Sequence, residues 1–211
     1  MVKQKKEKLT LFDIVFDKVG DGNIIKSFKF VKSLPTNSHE QRLNDVLPYT
    51  GRPLAKIDTY DAFIAEINSE NKSYEKYKEE NKEDFPNDED NEKIDMSEFG
   101  KKCVPHNNIK TVYAEISYPL TNNAYIECTL APNVNLTFGM LLYIYTVAYQ
   151  LVYKIEDAEN CPQVSASCVN MGTTAGYFGI WGHYICDLLY NGSSTIMIGG
   201  DYIKCEFHCD S

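Results

Sequence analysis

Cys186 and His183 stand three residues apart. A thiol and an imidazole at that spacing form a nucleophile and its base if the segment is helical, because positions i and i+3 are neighbours on a helix. In the first turn of such a helix the thiol would also be acidified. On a strand the same side chains project to opposite faces, and no base reaches the sulfur. Cys205, His208 and Cys209 have the spacing of zinc ligands. Strand geometry works against that reading too. Cys205 and His208 fall on opposite faces, and Cys205 and Cys209 stand ~13 Å apart at ~3.3 Å per residue, too far for one ion. No metal site and no cofactor is expected, and the cysteines read as small hydrophobes.

Turn signals favour strands here. Asn191-Gly192 is a strong two-residue hairpin signal, and Gly199-Gly200 offers a second. Together they predict a three-stranded meander over 184–190, 193–198 and 201–209. In that register Asp187 faces Ile196, Ile185 faces Ile198, and Ile196 faces Ile203. Asp187 then becomes a carboxylate among isoleucines, an expensive position unless it is hydrogen-bonded. The commoner outcome is that neighbouring backbone N–H groups or a tyrosine hydroxyl satisfy it. The alternative is a site residue with a raised pKa.

Residues 171–183 interleave Gly172, Gly176, Gly179 and Gly182 with Tyr177, Phe178 and the only tryptophan, Trp181. No Gly-Lys-Ser/Thr follows, and the glycine spacing is not that of a dinucleotide loop. Such rings either cover the edge of a core or form a recognition surface, where Trp and Tyr are frequent anchors. The candidate binding residues are therefore Tyr177, Phe178, Trp181, His183 and Asp187.

The elements that must position these groups follow from periodicity. Residues 9–18 and 24–32 read as a hairpin turned at Gly20-Asp21-Gly22-Asn23. Thr36-Asn37-Ser38 can cap a short helix that Pro48 stops. A second helix opens at Asp58-Thr59, with Tyr60, Phe63, Ile64 and Ile67 on one stripe. Residues 110–118 and 124–130 predict another hairpin, with Ala124, Ile126, Cys128 and Leu130 sharing a face. Residues 138–158 predict a long helix capped by Asn135 or Thr137. It is apolar around most of its circumference, with a polar edge of Thr146, Gln150, Lys154 and Asp157. Such a helix packs on more than one side and belongs at the centre of the core. The expected fold is α+β: antiparallel hairpins and a C-terminal meander packed on one long, largely buried helix. It reads as one domain over 1–211 with an acidic insertion at about 79–102, the alternative being two lobes, 1–78 and 103–211.

Charge narrows the function classes. The net charge is −9, and residues 66–98 alone carry −8, with 5 Lys against 13 Asp and Glu. Only Arg42 and Arg52 are arginines, so the planar forks that read phosphate and guanine are scarce. Direct nucleic-acid binding is not expected. The apolar run 138–153 is shorter than the ~20 residues a bilayer needs, so no membrane partner is expected either. Seven cysteines, an odd number at irregular spacing, indicate reduced thiols and a cytoplasmic setting. Three function classes follow. First is an acidic, inhibitor- or immunity-like interaction protein with a protein partner, a basic one being favoured by the acidic field. The second is a Cys–His hydrolase or transferase built on Cys186 and His183. The third is a small-ligand binder using loop 172–183.

Overall fold

The computed structural model describes residues 10–36, 40–43, 50–53, 57–80, 96–103, 108–157 and 172–210. In chain order these form β1 (Val15–Asp17), β2 (Ile25–Val31), β3 (Gln41–Leu43), β4 (Thr50–Pro53), α1 (Tyr60–Glu80), α2 (Met96–Phe99), β5 (Thr111–Ile116), β6 (Ala124–Leu130), α3 (Phe138–Ile155), β7 (Leu189–Gly199) and β8 (Tyr202–Asp210). The fold is α+β. One sheet runs β1-β2-β6-β5-β8-β7-β3, and β4 pairs with the N-terminal end of β7. Strands from both sides of the acidic stretch share it. The β5–β8 pair is parallel, whereas β2–β6, β5–β6 and β7–β8 are antiparallel.

Alternation turns one face of the sheet inward. Phe28 and Phe30 of β2, Val112, Ala114 and Ile116 of β5, and Ala124, Ile126, Cys128 and Leu130 of β6 are all buried. Opposite them lies α3, started by Thr137, whose Oγ1 accepts the Met140 N–H at 3.3 Å. Its tyrosines are fully buried, and each hydroxyl ties the helix to a different segment. Tyr143 donates to the Asp58 carbonyl at 2.9 Å and accepts the Asp21 N–H at 2.8 Å. Tyr145 reaches the carbonyls of Glu115 at 2.7 Å and Phe207 at 3.0 Å. Tyr149 donates to Tyr118 O at 2.7 Å, and Tyr153 to His183 O at 3.2 Å. Burial of a phenol is tolerable only with such partners.

On its other side α3 meets α1, where the rings of Tyr60 and Phe63 each contact Tyr143 at 5.7 Å between centroids. Within α1, Phe63 and Ile67 of the expected stripe are buried, while Tyr60 and Ile64 are half-buried. The helix continues to Glu80, past the expected start of the acidic insertion. The far end of that insertion also departs from expectation. Phe99 of α2 and Cys103 are core residues, and the Cys103 N–H donates to Leu136 O at 3.1 Å. The heart of the acidic stretch, 81–95, lies outside the described residues.

Three segments differ from their sequence-based readings. Residues 41–43 form a strand on the edge of β7 rather than the expected short helix, because an open sheet edge offers pairing that a local capping signal does not weigh. Residues 11–13 form a 3-10 turn that shortens the first strand, and the Asp13 carboxylate accepts the Thr10 N–H at 2.8 Å. Residues 185–187 form a second such turn, with the Asp187 carboxylate accepting the Tyr184 N–H at 2.8 Å. The first strand of the expected C-terminal meander is therefore replaced by a turn. Asn191-Gly192 does not reverse the chain but lies inside the 11-residue β7, where the register with β8 shifts between Tyr190 and Ser194. The hairpin at Gly199-Gly200 does form, two residues out of the expected register, with Ile198 opposite Ile203 and Ile196 opposite Cys205. A shift of two keeps side chains on their faces.

Candidate functional site

Loop 172–183 is held by a carboxylate the sequence reading passed over. Glu156 follows the last residue of α3 and is 7% exposed. Its carboxylate accepts the Phe178 N–H at 2.6 Å and the Thr174 hydroxyl. The Thr174 Oγ1 in turn accepts the Ile180 N–H at 2.9 Å. Gly176 is required at this point, since a Cβ there would overlap the Glu156 carboxylate. Its neighbour Gly179 has a left-handed φ of 66°. The Gly179 carbonyl accepts the Thr121 N–H at 3.0 Å and the Thr121 hydroxyl at 2.9 Å. The Trp181 N–H donates to Pro119 O at 3.0 Å. The loop is thus stitched to the β5–β6 connection and to the end of α3.

With the backbone fixed, the rings divide. Phe178 is 3% exposed and packs against Phe30 at 5.1 Å between centroids. Tyr177 is 51% exposed and touches Phe12 edge-on at 5.6 Å. Trp181 is 42% exposed and stands edge-on to Tyr118 at 5.3 Å. The expected site residues Tyr177, Trp181 and His183 are on or beside this loop, while Phe178 belongs to the core. His183 lies against the rings of Tyr118 and Trp181, with its Nε2 3.0 Å from the Tyr118 hydroxyl.

Asp187 does not sit among isoleucines. It is half-buried in the 3-10 turn, and its carboxylate accepts the Tyr184 backbone N–H.

Cys186 is exposed and disulfide-bonded. Cys103, Cys128, Cys205 and Cys209 are free thiols. The expectation that all seven thiols are reduced fails at this position. A sulfur in a disulfide is not a nucleophile, so Cys186 and His183 form no thiolate–imidazole pair. The free thiols are no better placed for chemistry. Burial raises the pKa of Cys103, Cys128 and Cys205, and pushes Cys209 up to about 12. Cys205 is buried while His208 is exposed, as strand parity requires. Among the described residues no group of three His, Cys, Asp or Glu side chains is arranged to hold a metal ion.

Glu156 had one usable signal in the sequence. A carboxylate at a helix C-terminus opposes the helix dipole and calls for donors from elsewhere. No protein-family model matches the chain, nor does any curated protein or solved structure.

Proposed function

We propose that this protein is a non-enzymatic interaction protein that captures a basic protein partner through loop 172–183. The observation that carries the reading is the pair of exposed rings, Tyr177 and Trp181, on a backbone pinned by the buried Glu156 carboxylate. Rings fixed before binding lose little conformational freedom on capture, which is how aromatic anchors gain affinity. Exposed indole and phenol faces attract Arg and Lys side chains at ~0.5–1 kcal/mol each. The net charge of −9, concentrated in residues 66–98, steers such a partner inward. The disulfide at Cys186 supports a binding role over thiol catalysis.

An octa-arginine peptide is the direct probe. Because Trp181 is the only tryptophan, its fluorescence reports on this loop alone. The expected result is a saturable change that weakens about tenfold as salt is raised from low to above physiological strength. Tyr177→Ala and removal of residues 81–95 should each weaken binding. An unchanged signal, or the same affinity for an octa-glutamate peptide, refutes the reading.

A further inference from the structure

The polar edge of α3 has a use that core packing does not explain. Thr146 is absorbed by the fold, its hydroxyl bonding Leu142 O and the Tyr190 hydroxyl, both at 2.9 Å. Gln150 and Lys154, one turn apart on the same stripe, line a cavity of about 200 Å³. Its buried wall is apolar, formed by Ile57, Leu151 and Ile185. Across from the helix, Lys18 lines it from the β1–β2 turn, and Asp58 from the approach to α1.

Lys18 holds φ at 60°, a left-handed conformation in which glycine is at home and lysine is strained. A lysine kept there places a charge where the backbone would prefer no side chain, a pattern associated with function. Lys18 and Lys154 are exposed, and neither is ion-paired among the described residues. Among the described lining residues, two ammonium groups stand against one carboxylate, a net charge of +1 over an apolar wall.

We infer that this cavity binds a small carboxylate with a short apolar body, its head between Lys18 and Lys154 and its chain against Ile57, Leu151 and Ile185. Asp58 sets the selectivity. It offsets one lysine, so a monoanion is accommodated and a dianionic phosphate is disfavoured. The site is separate from the rings of loop 172–183, and the inference does not depend on the partner proposed for them.

The test is methyl NMR of the full chain titrated with hexanoate. Saturable shifts are expected at the Ile57, Leu151 and Ile185 methyl groups. Lys18→Gly and Lys154→Gln should each weaken binding about threefold, and together about tenfold. Lys76→Gln, on the exposed face of α1, should leave it unchanged. Lys18→Gly suits the left-handed backbone, so it keeps the fold while removing the charge. Hexanol and hexylammonium should bind at least about tenfold more weakly than hexanoate, and hexyl phosphate should bind more weakly as well. Shifts spread over other methyl groups, equal binding of hexanol, or indifference to both lysine substitutions would overturn the inference.

Discussion

Two sets of aromatic side chains in this molecule share a chemistry and have opposite fates. Tyr143, Tyr145, Tyr149 and Tyr153 on α3 are sealed in the core, and every hydroxyl reaches a backbone carbonyl. Tyr177 and Trp181 on loop 172–183 leave roughly half their surface in solvent, although the loop's backbone is hydrogen-bonded to the β5–β6 connection. The difference lies in what the backbone does. A helix between a sheet and a second helix buries the sides that carry its rings. A loop latched from below by Glu156 buries Phe178 and turns its neighbours out. Ring content alone therefore says little about role, whereas the hydroxyl partners and the latch say a good deal.

The largest consequence should appear in the core. Tyr145→Ala removes a fully buried ring that touches Tyr149 and Phe207, together with the hydroxyl that reaches the Glu115 and Phe207 carbonyls. A loss of about 3–5 kcal/mol is expected in urea unfolding. A loss below about 1 kcal/mol would erase the distinction between the two sets.

Alkaline pH probes the same set. Burial pushes Tyr143 up to about 12, helped by the nearby Asp21 and Asp58 charges and opposed by its bond to the Asp21 amide. In the unfolded chain it ionises near 10. Between those values the folded state binds more protons than the unfolded one, so stability falls as pH rises. The contribution is complete below pH 10 and lost through pH 12, about 2–3 kcal/mol in all. Phenolate absorbance from the α3 tyrosines should emerge together with unfolding. Ionisation of all fifteen tyrosines near pH 10 in a folded protein would contradict it.

The latch is tested by a double-mutant cycle. Gly176→Ala drives a methyl into the Glu156 carboxylate and should cost about 1–3 kcal/mol. Glu156→Ala strands the Phe178 N–H at a similar cost. With the carboxylate gone the methyl has room, so the double variant should cost less than the sum by about 1 kcal/mol or more. Simple additivity would mean that Glu156 does not hold the loop.

Legibility in the sequence followed the range of the interactions involved. The long helix, the β5–β6 hairpin and the stripe on α1 were readable because a period of 3.6 or 2 is written along the chain. The two aspartate-capped turns were not. Asp13 and Asp187 look like interruptions of a strand, and only their bonds to Thr10 and Tyr184 show that each closes a turn ahead of one. Asn191-Gly192 misled for the converse reason. It is a hairpin signal, but pairing with β8 on one edge and with β3 and β4 on the other keeps β7 continuous through it. At the site the aromatic loop was legible from composition. Its latch was not, because Glu156 and Phe178 are 22 residues apart. The disulfide at Cys186 was hidden by the odd cysteine count.

The smallest expected effect on stability is the one that separates the sets most cleanly. Trp181 meets Tyr118 and His183 only edge-on and is 42% exposed, so Trp181→Ala forfeits little burial. Its backbone bond to Pro119 survives the substitution. A stability loss of about 0.5–1 kcal/mol is expected, far below that of Tyr145→Ala. Affinity for octa-arginine, measured by calorimetry because the fluorophore is gone, should fall about fivefold. Stability and binding then move independently: Tyr145→Ala weakens the fold, and Trp181→Ala weakens capture. A large stability loss with unchanged affinity would instead make Trp181 a piece of the core, and the two sets of rings would differ in exposure alone.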